Sequence, residues 1–288
     1  MKTILVVGAT GQTGKLVVEK SLANDHKVRV IVRSRNRLPS EILEHPNITL
    51  VEANVLDLMD EQMADLVKEC DAVVSCLGHV ISFQGIFGEP KLLCTEATKR
   101  LCKAIESNRP TSPVKFILMN TVGVSNPDLR EQREWFERVV LTLLRWLIPP
   151  HKDNEMAAQH LHANIGPENK YVEWCSVRPD SLINEVVSAY EIAESPSTSL
   201  FTGQPTARSH VAHFMVRLIE DNSLCCGGVH TATDLNSWHV YLPGYEWENY
   251  LKDQTEKNFK GGKHLYYKGF KQENQPFLNS ESDEVISF

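Results

Sequence analysis

The chain of 288 residues has no long apolar run, since no stretch approaches the roughly 20 consecutive apolar residues of a membrane-spanning helix. It has no excess of basic charge either. Its formal net charge is −7 at pH 7, which argues against nucleic acid as the main partner. Because Met1–Thr3 lead directly into the first predicted strand, we expect no signal or transit peptide. We therefore expect a cytoplasmic protein without integral membrane contact.

The usual cysteine and histidine patterns of metal sites are also missing. The seven cysteines are scattered, no Cys-x-x-Cys occurs, and the only close pair is Cys225–Cys226. His160 and His162 stand two positions apart, so they would point to different faces of a helix. The sequence predicts a reduced protein with no metal.

The most informative segment lies near the start, where an apolar strand pattern (Ile4–Val7) is followed by three glycines and an amphipathic helix pattern. Gly8 allows a sharp turn off the strand, Gly11 allows a pyrophosphate to approach the backbone, and Gly14 allows the helix to lie close to the sheet. The N-terminus of the helix then offers free N–H groups and a positive dipole end to phosphates. This pattern predicts a dinucleotide site; the alternative is a tight turn with no ligand.

The second predicted strand indicates which dinucleotide is bound. It ends in a basic loop that contains Arg33, Arg35 and Arg37. Folds that prefer NAD usually place Asp or Glu about 20 residues past the glycines, on the ribose 2′-hydroxyl. A guanidinium suits a phosphate dianion better. We therefore predict NADP(H) as the cofactor, with Arg33 on the 2′-phosphate; the alternative is a solvated basic loop.

Strand and helix patterns alternate through the first 180 residues. The strands are predicted near 3–8, 27–33, 48–52, 71–77, 114–121 and 171–178. The helices are predicted near 12–24, 60–68, 91–107, 127–148, 152–164 and 208–221. Continuous apolar strands are typical of a parallel sheet that is covered on both faces. We predict an α/β fold, a Rossmann-like doubly wound parallel sheet, as a single domain over residues 1–240 with a C-terminal extension over 241–288.

Three further segments carry open interpretations. The loop over 79–88 has two glycines and two phenylalanines, which favours either an apolar lid or a packed loop. The 127–148 helix is apolar around most of its circumference and therefore needs cover on more than one side, from the sheet, a substrate or a second subunit. The extension is rich in aromatic residues, and is either docked, on the body or in a homodimer, or mostly disordered.

Several motifs in sequence order resemble one known family. They are Gly8–Gly14, Arg33, Ser75–Gly78, Phe116–Val124, Val177–Pro179 and Ala207–Met215. As a set they resemble the atypical short-chain dehydrogenase/reductases of the NmrA-like type, and within it the NADPH-dependent flavin and biliverdin reductases. The resemblance covers about residues 1–235.

The resemblance implies a role for each matching residue. The glycine turn would cradle the pyrophosphate through Thr10, Gly11, Gln12, Thr13 and Gly14, after the turn at Gly8. Arg33 and Arg37 would hold the 2′-phosphate. The rest of the cofactor would be lined by Asn54 and Val55 at the adenine, Leu77 and Gly78 beside the nicotinamide, and Asn120, Thr121 and Pro179 near its ribose and ring. Family members often have Asp at the position of Asn54.

The catalytic pattern departs from the ordinary members, because positions 151 and 155, which the resemblance matches to their proton-donating Tyr-x-x-x-Lys pair, carry other residues. His151 stands at the tyrosine position, Glu155 at the lysine position and Thr121 at the serine position, with Lys152 adjacent. Two hypotheses follow. The protein transfers hydride from NADPH to a small planar apolar acceptor such as a flavin, a quinone or a conjugated tetrapyrrole. Alternatively, it binds NADP(H) without turnover, as a redox sensor that regulates a protein partner.

Overall fold

The computed structural model of the chain describes residues 1–79, 88–124, 134–187, 191–192, 205–222, 228–233, 238–244 and 265–266. Its strands are β1 (Thr3–Val7), β2 (Lys27–Val32), β3 (Ile48–Glu52), β4 (Ala72–Ser75), β5 (Val114–Met119), β6 (Val172–Pro179), β7 (Leu182–Ile183), β8 (Glu191–Ile192), β9 (Thr206–Ala207), β10 (Gly228–Thr233), β11 (Trp238–Gly244) and β12 (Leu265–Tyr266). Its helices are α1 (Gln12–Ala23), α2 (Ser40–Leu43), α3 (Asp60–Val67), α4 (Leu93–Asn108), α5 (Trp135–Leu147), α6 (Pro149–His160) and α7 (Arg208–Glu220).

The central sheet has the order β10-β11-β6-β5-β4-β1-β2-β3. The six strands from β6 to β3 are parallel to their neighbours, whereas β11 and β10 are antiparallel. The chain winds outward from β1 to β3 and then returns to place β4 on the other side of β1. This doubly wound order confirms the predicted fold class. It opens a crevice at the carboxyl ends of β1 and β4, where the direction of winding reverses.

Alternate residues of the strands bury two separate cores. Ile4 and Val6 of β1 pack on one face with the apolar residues of α1 and α7. Leu5 and Val7 pack on the opposite face with those of α3, α4 and α6. Because both faces are covered, the strands are continuous apolar runs, which is the sequence pattern that predicted them.

One predicted helix differs from the structure at its start, and another is described only in part. The helix predicted over 152–164 begins earlier, with Pro149 and Pro150 in its first turn, because the fixed φ of proline suits that position and the missing N–H is not needed there. It continues as a π-helical turn over Leu161–Ile165. The helix predicted over 127–148 is described only from Trp135; residues 125–133 lie outside the described part.

One apolar face of α5 is open to solvent. Trp135 is 74% exposed, Val139 50%, Leu143 52% and Leu147 65%. The cover expected for this helix from a second subunit therefore stays a prediction. Among the residues that the structure describes, no helix is long and apolar enough to cross a membrane. Residues 80–87 of the predicted lid and most of the extension beyond Gly244 lie outside the described residues.

A buried lysine ties the sheet to the end of α7. Lys115 of β5 is 5% exposed. Its ammonium donates hydrogen bonds to the carbonyl oxygens of Leu218 at 2.8 Å, Ile219 at 3.3 Å and Asp221 at 3.1 Å. The last carbonyls of a helix have no partner within the helix, and a cation there also meets the negative end of the helix dipole. The lysine therefore stabilises the seam between β5 and α7.

We expect Lys115→Met to lower the free energy of unfolding by about 2–3 kcal/mol, because it leaves buried carbonyl groups without their charged donor. Urea denaturation measures this change. The matched control is Lys27→Met, which alters an exposed lysine on β2 and is expected to change stability by less than about 0.5 kcal/mol. Equal effects of the two substitutions would contradict the role given to Lys115.

Candidate functional site

The turn between β1 and α1 depends on two glycines. Gly8 has φ +80°, and a Cβ atom there would lie 2.4 Å from the carbonyl oxygen of Cys76, just beyond β4. A Cβ atom on Gly14 would lie 2.2 Å from the carbonyl oxygen of Gly8. The turn itself is closed by a hydrogen bond from the Gly11 amide to the Gly8 carbonyl at 3.0 Å. Backbone therefore packs directly on backbone where β1, β4 and α1 meet.

The N-terminus of α1 is suited to an anion. Gly11 precedes the helix with extended backbone and no side chain caps the first turn, which also contains no acidic residue. Gln12 and Thr13 follow at the same end, in the crevice at the carboxyl edge of the sheet. Free N–H groups and the positive dipole end of a helix bind phosphate well. This cradle fits the pyrophosphate of a dinucleotide.

The basic loop follows β2, the strand next to β1. Arg33 is exposed directly after β2, and Arg35–Arg37 form a short 3₁₀ turn that is exposed as well. Within the described residues, none of these arginines has a hydrogen bond from its side chain or an ion pair with a carboxylate. The cluster therefore presents positive charge at the same edge of the sheet as the glycine turn.

The end of β3 is held by α4. Arg100 donates to the carbonyl oxygens of Val55 at 3.3 Å and Leu56 at 2.6 Å. The side chain of Val55 is 5% exposed and packs in the core. Asn54 remains half-buried, and its Oδ1 accepts a hydrogen bond from the Leu56 amide at 3.4 Å. Asn54 thus presents polar atoms near the crevice, whereas the side chain of Val55 belongs to the core.

The end of β5 carries a polar pair. Asn120 is buried, and its Nδ2 donates to the carbonyl oxygen of Asn154 in α6 at 3.0 Å. Its Oδ1 accepts a hydrogen bond from the Thr121 amide at 2.9 Å. Pro179, at the end of β6, is buried, and its carbonyl accepts a hydrogen bond from the Val122 amide at 3.1 Å. The structure therefore brings these three predicted residues to neighbouring strand ends.

The start of α6 lies against the same strand end. A Cβ atom on Gly123 would lie 2.9 Å from Cε1 of His151, so the imidazole ring packs directly on this glycine. Lys152 is exposed. Glu155 forms an ion pair with Arg145 of α5 through two hydrogen bonds. In one of them, Nε of Arg145 donates to Oε2 of Glu155 at 2.7 Å. The structure brings His151 to the end of β5, whereas the carboxylate of Glu155 serves the contact between α5 and α6.

Asp153 is a functional candidate that the sequence analysis missed. Its carboxylate is completely buried and accepts hydrogen bonds from Nε2 of His79 and from the amides of Cys94 and Thr95, each at 2.8 Å. Burial raises the pKa of this carboxyl, but the hydrogen bonds from His79, Thr95 and Cys94 outweigh burial and lower it. No periodicity in the sequence distinguishes Asp153 from the exposed Lys152 before it.

His79, Cys94 and Asp153 bring three donor atoms within 4.8 Å of one another. Both oxygens of the carboxylate already accept hydrogen bonds. Burial, with the Asp153 carboxylate beside it, holds the pKa of the Cys94 thiol well above its usual value. The trio is therefore a hydrogen-bonded cluster, and the absence of a metal from the functional site stays a prediction.

His210 and His213 lie three positions apart in α7, and both are buried.

A doubly wound sheet with a glycine turn from β1 into an uncapped helix defines a dinucleotide-binding protein of the Rossmann type. The family comparison agrees with this class. The model of the NAD(P)H-binding family matches residues 8–222. The chain belongs to this family.

Two curated relatives from Arabidopsis thaliana match part of the chain. One is an uncharacterised chloroplastic protein, 28% identical over 124 residues, which are 43% of this chain and 42% of the relative. The other is a chloroplastic divinyl chlorophyllide a 8-vinyl-reductase, 25% identical over 138 residues, which are 45% of this chain and 32% of the relative. The chain thus spans less than half the length of these relatives.

Solved structures share the fold over most of the chain. A short-chain dehydrogenase/reductase from Veillonella parvula, in complex with NADP, has a TM-score of 0.53 and 18% identity, covering 77% of this chain and 89% of its own. The anaerobilin reductase ChuY from Escherichia coli O157:H7 has a TM-score of 0.54 and 14% identity, covering 76% and 91%. At this identity, the likeness concerns the fold.

We expect Gly14→Ala to lower the free energy of unfolding by about 1–3 kcal/mol, because the new methyl group would collide with the Gly8 carbonyl and push α1 away from the turn. Thermal and urea unfolding measure the loss. Gly78→Ala is the matched control, since no described residue lies within 4 Å of its Cβ position, and we expect a change below about 1 kcal/mol. A Gly14 variant as stable as the Gly78 variant would contradict the packing described.

Proposed function

We propose that the protein is an NADPH-dependent reductase that transfers hydride to a small planar apolar acceptor. The observation that carries the proposal is the alignment of two features on one edge of the sheet. These are an uncapped helix N-terminus at a glycine turn and an exposed arginine cluster on the adjacent strand. Membership of the NAD(P)H-binding family supports the dinucleotide itself.

In this proposal the pyrophosphate lies on Gly11–Gly14, and Arg33 and Arg37 hold the 2′-phosphate. Asn54 and the backbone of Val55 flank the adenine. The nicotinamide end lies at the ends of β4, β5 and β6, where Leu77, Gly78, Asn120, Thr121 and Pro179 would contact it. When bound, the cofactor supplies the hydride, and the residues of the chain bind it, orient the acceptor and exclude water.

The class of acceptor is proposed from the residues that are missing at the site. The helix α6 lacks the Tyr-x-x-x-Lys pair of the ordinary short-chain dehydrogenase/reductases, which favours an acceptor whose conjugated double bonds accept hydride readily. A flavin, a quinone or a conjugated tetrapyrrole meets this requirement. One relative is named a vinyl-reductase and one structural neighbour an anaerobilin reductase, and these names support a reductase in this chain. His151 and Lys152, at the start of α6, would orient the acceptor.

The arginine cluster gives a direct test of cofactor choice. We expect Arg33→Glu to weaken NADPH binding by about 10- to 100-fold, the value of a charge-assisted hydrogen bond of about 1.5–3 kcal/mol. NADH, which has no 2′-phosphate, should change by less than about threefold. Calorimetry measures both affinities. Lys27→Glu, at the other end of β2, is the control with the same change of charge, and an equal loss for both cofactors would sink the assignment.

Turnover separates the reductase from a redox sensor. Purified protein and NADPH are mixed with flavin mononucleotide, menadione or biliverdin, and the loss of absorbance at the NADPH band is followed. We expect oxidation of NADPH with at least one acceptor, in proportion to the enzyme concentration. Tight binding of NADPH without oxidation by any acceptor would contradict the reductase and favour the non-catalytic sensor.

A further inference from the structure

Arg100 of α4 reaches across to the loop that joins β3 to α3. Its Nη1 atom donates hydrogen bonds to the carbonyl oxygens of Val55 at 3.3 Å and Leu56 at 2.6 Å. Its Nη2 atom donates to the carbonyl of Leu58 and lies 3.4 Å from Oδ1 of Asp60. The side chain is 21% exposed. Because the guanidinium is a rigid fork, one side chain sets the directions of three carbonyl groups in this loop.

Two of these peptide groups bind Asn54 from their other side. The peptide between Val55 and Leu56 donates its N–H group to Oδ1 of Asn54 at 3.4 Å. The peptide between Leu56 and Asp57 donates its N–H group to the carbonyl of Asn54 at 3.0 Å. A trans peptide group is planar, and its carbonyl and N–H point in opposite directions. Because Arg100 fixes both carbonyls, it also fixes the two N–H groups and, through them, Asn54.

Asn54 lies beside the strand end that carries the arginine cluster. The amide of Ala53 donates to the carbonyl of Val32, the last residue of β2, at 2.8 Å. Asn54 follows at the carboxyl edge of the sheet, where Arg33 continues the neighbouring strand. Since β2 also pairs with β1, the glycine turn ends the next strand along. In the proposed function the adenosine lies across these strand ends, so the loop held by Arg100 would form its wall.

We propose that Arg100 is a positioning residue for the adenosine half of the cofactor, because it holds Asn54 in place before the cofactor binds. This inference rests on the proposed function. A wall that is already ordered loses less conformational entropy when a ligand arrives, and therefore binds it more tightly. Arg100 itself touches only the loop and Asp60 among the described residues, so it acts on the ligand through Asn54.

The test measures the affinity of the full chain for adenosine 2′,5′-bisphosphate, the adenosine half of NADPH, by calorimetry. We expect Arg100→Met to weaken binding at least about tenfold. The matched control is Lys103→Met, which removes the same charge three residues further along α4. The side chain of Lys103 is 72% exposed, and its ammonium donates to Asp60 at 2.6 Å and to no carbonyl of the loop. An Arg100→Met affinity within about twofold of this control would overturn the proposal.

A double-mutant cycle tests whether Arg100 acts through Asn54, which a merely structural role would not require. We expect Arg100→Met to weaken binding of the bisphosphate by less than about twofold when it is added to Asn54→Ala, because the group that it positions is already missing. A full tenfold loss in both backgrounds would overturn the positioning role. Where Arg100→Met does not fold, Arg100→Lys takes its place in both measurements. It keeps the charge without the fork, and we expect at least a roughly threefold loss in the wild-type background.

A measurement without ligand separates failure of this inference from failure of the proposed function. The exchange of the Leu56 and Asp57 amides with solvent is followed by NMR in the free protein. We expect exchange at least about fivefold faster in Arg100→Lys than in Lys103→Met, because the loop is no longer held. Unchanged exchange would overturn the inference whatever the protein binds. Faster exchange in a protein whose wild type binds no bisphosphate would instead overturn the dinucleotide site, and with it the role of the loop as its wall.

Discussion

The close approach of β1, β4 and α1 at Gly8 is the constraint on which the crevice depends. The Cys76 carbonyl occupies the space where a side chain on residue 8 would lie, and the Gly8 carbonyl occupies the same space for residue 14. Because no side chain separates these backbones, the N-terminus of α1 opens directly at the carboxyl edge of the sheet. The phosphate-binding capacity of the protein follows from packing and from unpaired backbone donors.

The nicotinamide half of the crevice depends on a different interaction, the buried carboxylate of Asp153. It joins the first turn of α4, the residue after the β4 segment and the start of α6. An unpaired carboxylate in this position would be costly, but three donors, from His79, Cys94 and Thr95, satisfy it. One side chain thereby sets the relative positions of the elements that surround the proposed site of hydride transfer.

The fold was predictable because its signals are local. Continuous apolar strands, three glycines at fixed spacing and the helix patterns between them specify a doubly wound sheet without knowledge of tertiary contacts. The sequence also predicts that Arg33 lies at the carboxyl edge of the sheet, because it directly follows β2. Asp153 and His79 were not found, because they are 74 residues apart and their burial is created only when α4 and α6 pack. The family resemblance implies a chemical role for Glu155, whereas its ion pair with Arg145 depends equally on packing.

The central claim is that the protein is a reductase in which the glycine turn binds the dinucleotide and the neighbouring arginine cluster selects the form with a 2′-phosphate. The most direct test is the affinity of the wild-type protein for NADPH and for NADH, measured by calorimetry in one buffer at fixed ionic strength. We expect NADPH to bind at least about tenfold more tightly, because NADH has no 2′-phosphate to form charge-assisted hydrogen bonds with a guanidinium. Equal affinities, or tighter binding of NADH, would contradict it.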